Sequence, residues 1–386
     1  MKTIAIIPAR GGSKRIPHKN IRKFNGLPLI IWTLVEVFKS FNIDDFYVST
    51  EDDMIKEVLN FYSFKFIDRD PKHAIDTSTS DEVLEHSIRK LSNQNVIFDY
   101  VAFIQCTNPF DDCEVYDDVI QKLINNPFYD NSFASSIFKG WLWKRNENNE
   151  AIGFNHDKNK RERSQDIHWD LNQERGSIVC FKKETFLKSK YRLSDKTLMV
   201  DCANRPLIDI DTELDFSMAE NIFIAHRKNS RRFFNKKIIF TDFDGVFSDN
   251  LVYTSSDNIE NISSSKYDSL IIPLLKTKIN IIVLTSEKNY SVKNRCEKIK
   301  LDGFFGVEDK KSVIKNYLIE NNLNWDDVAY IGNDYNDLIA SLICGYSFCT
   351  LDSPEGLKRV VDEVIPVNGG NGVLRFLFEK YFNEYI

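Results

Sequence analysis

The chain has 386 residues, 28% of them charged, and a formal net charge of −6. That length is comfortable for two domains and buries a sizeable core without staples, while the acidic balance excludes the global basic footprint of a nucleic-acid binder. Seven cysteines, scattered and without a C-x-x-C pair, speak against a disulfide frame or zinc site and for a reducing compartment. No apolar run approaches the roughly 20 residues that span a bilayer. The chain opens in a strand with no signal peptide, so the expectation is a cytoplasmic protein without a membrane partner.

In chain order, Thr3 to Ile7 is an apolar run that predicts a buried strand. It empties into Pro8-Ala9-Arg10-Gly11-Gly12-Ser13-Lys14-Arg15, followed by Ile16-Pro17-His18-Lys19-Asn20. Glycines let a backbone approach a bulky anion, and Arg10, Lys14, Arg15 and Lys19 supply the charge. An amphipathic helix is predicted from Pro28. Strand, basic glycine loop and helix form the layout of a phosphate site at the carboxyl edge of a parallel sheet. The loop has neither the G-x-x-x-x-G-K-[ST] nor the G-x-G-x-x-G spacing.

Strand-like and helical runs then alternate: strands at 45–50, 64–67, 100–105 and 132–137, and helices at 52–61, 81–91 and 112–125. Such alternation predicts a mostly parallel α/β sheet with ligands beyond the strands' carboxyl ends. Polar residues stand there: Ser49-Thr50-Glu51-Asp52 and Gln105-Cys106-Thr107-Asn108-Pro109. Ser80 offers either a ligand contact or the N-cap of the next helix. The alternation breaks between 139 and 176, a stretch with Trp141, Trp143 and many Asn, Lys and Arg. In Pro206-Leu207-Ile208-Asp209-Ile210-Asp211, alternation places Asp209 and Asp211 on one face of a short strand. Two such carboxylates repel unless a cation lies between them, which suggests Mg²⁺.

The loop resembles the A-R-G-G-S-K-x-x-x-x-K-N signature of the CMP-sialic acid synthetases, the acylneuraminate cytidylyltransferases. Ser49 to Asp52 resembles that family's S-T-D-D segment, with Glu51 departing from it. Gln105 to Pro109 resembles Q-x-T-x-P, and Asp209 to Asp215 resembles D-I-D-T-E-x-D. The resemblance implies nucleotide contacts from Ala9, Arg10, Gly11, Gly12, Ser13, Lys19, Asn20 and Ser80, with Arg10 and Lys19 catalytic. The segments at Arg69-Asp70-Pro71 and Asp76 to Asp81 would line the nucleotide site. It further implies sugar contacts from Gln105, Arg163 and Gln165, and Mg²⁺ at Asp209 and Asp211. Residues 139–176 would be an inserted arm that packs on a second subunit; its R-R-Q-D text is altered here by Ser164. CTP and an acidic keto-sugar are the implied partners: the sugar's anomeric hydroxyl attacks the α-phosphorus and pyrophosphate leaves.

A helix is predicted for 215–227 and a polar, basic linker for 228–236. A new strand then runs into Thr241-Asp242-Phe243-Asp244-Gly245. A carboxylate at a strand end can attack phosphorus, and a second one two residues on can protonate the leaving alcohol. The segment resembles motif one of the haloacid dehalogenase phosphatases, with Asp242 and Asp244 catalytic and binding Mg²⁺. Thr285 and Ser286 resemble motif two and Lys310 motif three, so all three are expected to hold phosphate. Gly332-Asn333-Asp334 to Asp337 resembles motif four. Asn333 stands where that family places a metal-ligating aspartate and is expected to bind Mg²⁺ more weakly through its amide oxygen, with Asp334 or Asp337 compensating as metal ligands. A hairpin (251–253, 258–263) and a helix from Asp268 occupy the space between motifs one and two, which leaves no room for a large cap. That and the tail at Asn368 to Gly372 resemble 3-deoxy-octulosonate-8-phosphate phosphatase, a tetramer.

Together the resemblances imply an α/β protein with two doubly wound, mostly parallel sheets. A Rossmann-like nucleotidyltransferase domain with a dimerisation arm (1–227) precedes a capless haloacid dehalogenase-like domain (237–386). The implied function is bifunctional: CMP transfer to a nine-carbon acidic sugar and hydrolysis of its 9-phosphate, in a homodimer or homotetramer. Alternatives are an inactive scaffold in place of the phosphatase, an eight-carbon substrate, and a nucleotide-sensing module without turnover.

Overall fold

The computed structural model describes every residue except 76, 161, 162, 164, 167–170, 203, 204, 234, 258, 259 and 383–386, together with the side chains of 228–230. The expectations for Asp76, Ser164 and part of the 258–263 strand therefore lie outside the described residues. Two compact units emerge, one of Met1–Ile21 with Ser40–Phe216 and one of Arg22–Lys39 with Ser217–Ile386. The expected boundary at 227 differs from this in two ways. First, helix α1 (Leu29–Lys39) groups with the second unit. Trp325 donates its indole N–H to the Lys39 carbonyl at 2.8 Å, and Lys315 reaches the Phe38 carbonyl at 2.7 Å. Its residues from Leu29 to Val35 are all buried, so the expected amphipathic helix has no solvent face over that run.

The second difference lies at the linker. After α2 (Asp53–Phe61), α3 (Ser80–Asn93), α4 (Cys113–Ile124) and α5 (Lys183–Ser189), helix α6 runs unbroken from Glu213 to Ser230. The expected start of the linker at 228 thus falls inside a helix.

The first unit is built on β1 (Thr3–Pro8), β2 (Asp45–Thr50), β3 (Phe66–Asp68), β4 (Tyr100–Ile104), β5 (Asn131–Ile137), β6 (Asn172–Lys182) and β7 (Thr197–Asp201). Their order across the sheet is β7-β5-β6-β4-β1-β2-β3. β1 pairs in parallel with β2 and β4, and β6 runs antiparallel to both neighbours. β1 and β4 read as continuous apolar runs because they are central strands covered on both faces. Ile4, Ile6, Val101 and Phe103 pack there against Leu84, Ile88 and Leu91 of α3.

The second unit carries β8 (Ile238–Thr241), a hairpin of β9 (Ser248–Thr254) and β10 (Glu260–Ser264), then β11 (Asn280–Leu284), β12 (Asp302–Phe304), β13 (Val328–Gly332), β14 (Tyr346–Cys349) and β15 (Glu363–Val364). Its sheet order is β12-β11-β8-β13-β14-β15, parallel throughout. Helices α7 (Tyr290–Ile299), α8 (Lys310–Glu320) and α9 (Leu338–Ile343) belong to this unit. The helix expected from Asp268 is a turn followed by the short helix Ile272–Leu275. Both units are α/β with parallel-dominated sheets, as expected. All seven cysteines are free. Among the described residues, no helix is long and apolar enough to cross a membrane.

Candidate active sites

In the first unit β1, β2 and β4 end side by side, so the polar residues that follow them converge. A cavity of about 540 Å³ opens there, lined by Arg10, Ser13, Lys14, Arg15, Lys19, Asn20, Arg69, Ser80, Gln105 and Asp211, among others. The glycine loop is fastened from several sides. Asn20 donates its side-chain amide to the Arg10 carbonyl at 3.1 Å, and Ile16 is buried beneath the loop. The Gly11 N–H is held by a Glu51 Oε1 at 3.0 Å. Residue 11 has to be glycine, because a Cβ there would lie 1.9 Å from a carboxylate oxygen of Asp52. Glu51, which departs from the family's aspartate, also lies 3.6 Å from Arg69 Nη1. Arg69 is buried and donates to the Ser49 hydroxyl and carbonyl. Burial lowers its pKa, opposed by Glu51 and assisted by nearby Arg10.

Opposite the loop, Lys19 Nζ donates to the Ile210 carbonyl at 2.6 Å and lies 3.4 Å from Asp211, which Arg15 also meets at 3.0 Å. The 206–211 segment is not the short strand expected; it is irregular chain outside the sheet. Buried Ile210 fixes it, its N–H donating to the Thr107 carbonyl at 2.9 Å. Asp211 faces the cavity, whereas Asp209 is exposed and outside its lining. Ala9, Gly11 and Gly12 form the loop's frame and do not line the cavity themselves. The N-cap of α3 is Thr79, in a capping box with Glu82, so Ser80 is a first-turn residue facing the cavity and not the cap.

Two expected sugar contacts lie elsewhere. Arg163 is exposed and ion-paired to Asp166 at 2.6 Å, and Gln165 is exposed; neither lines this cavity.

In the second unit the carboxyl ends of β8, β11 and β13 carry the other set. Asp242 is buried, and Lys310, the first residue of α8, places its ammonium 2.7 Å from both Asp242 Oδ2 and Asp337 Oδ1. Burial raises the Asp242 pKa, Asp337 adds to this, and Lys310 opposes it. Burial alone would lower Lys310; Asp337 and Asp242 outweigh it and hold the ammonium charged. Asp244 is raised chiefly by burial, with Glu287 adding and a hydrogen bond from Ser248 opposing. Thr285 is buried at the end of β11, where its hydroxyl accepts the Glu287 N–H; Ser286 is exposed.

Compensation for Asn333 by Asp334 or Asp337 is not what the structure arranges. Asp337 accepts from Lys310, the Tyr330 hydroxyl at 2.6 Å, and the N–H groups of Asn333 and Asp334 at 2.8 and 3.3 Å. Four donors fill its two oxygens, making it a buried anchor and not an open ligand. Asp334 is exposed and caps the turn at Tyr335. Asn333 itself lies against the motif-one loop, since a Cβ on Gly245 (φ +67°) would meet its amide nitrogen at 1.8 Å.

A divalent cation fits both sets by donor chemistry. Asp209 and Asp211 offer hard oxygens beside the basic cavity. Asp242, Asp244 and Asn333 offer two carboxylates and an amide, and the two carboxylates are held above their ordinary range. Among the described residues, no cluster of three or more His, Cys, Asp or Glu forms a complete metal site. In the second unit, Asn333 is what makes up the number.

A sequence reading by motif passes over Arg175 and Asp111, whose side chains form a fully buried ion pair. The available signal is slight, a charged residue in the polar first half of β6, three positions before its apolar run Ile178–Phe181.

Comparison with known proteins follows this division. Residues 4–199 match the family model described as Cytidylyltransferase. N-acylneuraminate cytidylyltransferase A of Danio rerio is 28% identical over 365 residues, covering 91% of this chain and 81% of its own. Pseudaminic acid cytidylyltransferase of Campylobacter jejuni is 30% identical over 236 residues, 60% of this chain and 100% of its own. The 3-deoxy-D-manno-octulosonate 8-phosphate phosphatase of Haemophilus influenzae is 30% identical over 143 residues, 36% of this chain and 79% of its own. A cobalt-bound solved structure of that phosphatase overlaps 37% of this chain at a TM-score of 0.35.

Proposed function

The chain belongs to the cytidylyltransferase family and, in its carboxyl-terminal part, to that of the 3-deoxy-D-manno-octulosonate 8-phosphate phosphatases; from that premise we propose a bifunctional enzyme of acidic-sugar activation. In the first unit the anomeric hydroxyl of a nine-carbon keto-sugar acid attacks the α-phosphorus of CTP. The new oxygen–phosphorus bond forms as the bond to pyrophosphate breaks. The relatives named for N-acylneuraminate and pseudaminic acid support a sugar of that class.

The observation that carries this reading is the cavity at the ends of β1, β2 and β4. Arg10, Lys14, Arg15, Lys19 and Arg69 surround it, a density of cations suited to a triphosphate. Arg10 and Lys19 offset charge that builds on the leaving pyrophosphate. The loop from Ala9 through Gly11, Gly12 and Ser13, with Asn20 and Ser80, seats the nucleotide, and Gln105 addresses the sugar. Arg163 and Gln165 are assigned to the sugar of a second copy, reached by the arm in a homodimer or homotetramer. Mg²⁺ held by Asp209 and Asp211 would supply further neutralisation of the phosphates. Little covalent work is left to the protein, and positioning with electrostatics accounts for the rate.

In the second unit the substrate is the sugar 9-phosphate. Asp242 attacks phosphorus, and the bond to the sugar oxygen breaks as Asp244, whose pKa burial raises, delivers a proton to that oxygen. Thr285, Ser286 and Lys310 hold the phosphoryl oxygens, and Asp337 fixes Lys310. Water then releases phosphate from Asp242. Mg²⁺ at Asp242, Asp244 and Asn333 would offset the repulsion between nucleophile and phosphate. One observation favours a second reading, a catalytically silent scaffold: Asn333 replaces a carboxylate, and Asp337 is already committed to Lys310, Tyr330 and two backbone N–H groups.

The test uses the full chain with Mg²⁺, CTP and a panel of acidic keto-sugars, free and phosphorylated. Pyrophosphate formed only with a free nine-carbon acid, plus phosphate from its 9-phosphate, is the expected result. Pyrophosphate without phosphate selects the scaffold, and neither product from any sugar overturns the reading.

A further inference from the structure

Arg175 is fully buried, and each of its five N–H groups has an acceptor. Nε lies 3.0 and 2.9 Å from the two oxygens of Asp111, and Nη2 donates to Asp111 Oδ1 as well. Nη1 reaches the Ser136 hydroxyl at 2.7 Å and the Arg205 carbonyl at 3.3 Å, and Nη2 reaches the Pro206 carbonyl at 2.9 Å. A buried ion pair is weak evidence for stability, because desolvation offsets most of the attraction. What this pair adds is geometry: one rigid planar fork joins three segments that are distant in sequence.

Those segments bear on the site. Asp111 closes the loop that begins at Gln105 after β4. Arg205 and Pro206 open the segment that delivers Asp209 and Asp211. A second row of bonds runs parallel to the first: the Arg205 guanidinium donates to Asp112 at 2.8 Å and Glu114 at 2.7 Å. At the far end the Ile210 N–H donates to the Thr107 carbonyl. Asn108 donates back to the Arg175 carbonyl at 3.4 Å. The 205–211 segment is thus stitched at both ends to the 105–114 loop. β6 also shifts register against β5 between Glu174 and Val179, the kind of bulge that re-aims a side chain beside a site.

We propose that Arg175, held by Asp111, is a positioning residue for cytidyl transfer: it locks the segment carrying Asp209 and Asp211 to the loop carrying Gln105, so that metal ligands and sugar contact keep one fixed spacing. The proposal rests on the reading that Asp209 and Asp211 serve that reaction. Lysine at 175 would keep the charge but not the fork, and would lose the simultaneous grip on the Arg205 and Pro206 carbonyls.

The test compares the full-length wild type with Arg175→Lys and with Asp111→Asn, which keeps the shape and removes the charge. Amide hydrogen exchange is followed across residues 205–212, beside Mn²⁺ binding by paramagnetic resonance and KM for CTP. In the wild type the Ile210 amide is protected. In either variant exchange over 205–212 accelerates and the metal dissociation constant rises about tenfold, as when the supports of metal ligands are removed. KM for CTP stays within about twofold, because Arg10, Lys19 and Arg69 are untouched. A variant with lower thermal stability but wild-type exchange and Mn²⁺ affinity overturns the proposal. So does an unprotected Ile210 amide in the wild type, which needs no variant to fold. A wild type inactive with CTP, with the two variants still showing these exchange and metal changes, would sink the functional reading and leave the stitch standing.

Discussion

In the first unit Arg10, Lys14, Arg15, Lys19 and Arg69 line an open cavity, with Asp211 as the acidic group among its described lining residues. In the second unit one ammonium, Lys310, is closed in between Asp242 and Asp337. Both centres suit a phosphate-bearing substrate, and they balance charge in opposite ways. The open cavity holds cations in excess, so an anion arriving there completes it. The closed centre shares its one cation between two buried carboxylates, so a missing group costs the fold first and the chemistry second. Asn333 sharpens the difference by leaving the second centre one carboxylate short.

Four substitutions probe that contrast. Lys310→Met removes the shared cation and strands two buried carboxylates. It should cost about 3–5 kcal/mol, read as a fall in the denaturant midpoint of the second unit. Lys19→Ala acts on the open side. It loses the bond to Ile210 and the approach to Asp211, so pyrophosphate formation should drop roughly 10- to 100-fold with the melting temperature nearly unchanged. Asn333→Asp restores a charged ligand, and the Mg²⁺ concentration that half-saturates phosphate release should fall about tenfold.

The smallest effect belongs to Asp309, which caps α8 through the Ser312 N–H and so aims Lys310. Asp309→Ala should cost about 1 kcal/mol. Burial would raise the Asp309 pKa, but hydrogen bonds from Lys311 and Ser312 outweigh it and hold the carboxyl below its ordinary value. A folded pKa below the unfolded one gives stability above the unfolded value that is lost as pH falls through the folded one. Acidification from about pH 5 to about pH 3 should therefore narrow the gap between wild type and variant in equilibrium unfolding.

Strand-end chemistry was legible in the sequence because a buried strand is an apolar run and whatever polar text follows it must face the sheet's edge. Gln105, Asp242, Thr285 and Asn333 were located that way. Contacts between distant segments were not legible. Nothing local ties Arg175 to Asp111 or to the Pro206 carbonyl, and Glu51 looks like a neighbour of Asp52, not a clamp on Gly11. The allegiance of α1 was hidden for another reason: Leu29 to Val35 is buried whole and has no polar face to declare a side. The 206–211 segment alternates like a strand, yet its burial comes from one anchored residue, Ile210. Thr79 is readable as a cap from Glu82 three residues on, but Ser80 beside it is an equally good cap by residue type.

The most direct test of the central claim is a crossed assay of Lys19→Ala and Asp242→Asn in the full chain, following pyrophosphate from CTP plus a free nine-carbon acidic sugar and phosphate from the sugar 9-phosphate. The account predicts that Lys19→Ala loses pyrophosphate and keeps phosphate release, while Asp242→Asn does the reverse. If either substitution abolishes both products in folded protein, or if Asp242→Asn leaves phosphate release intact, the claim of two separate phosphorus centres is contradicted.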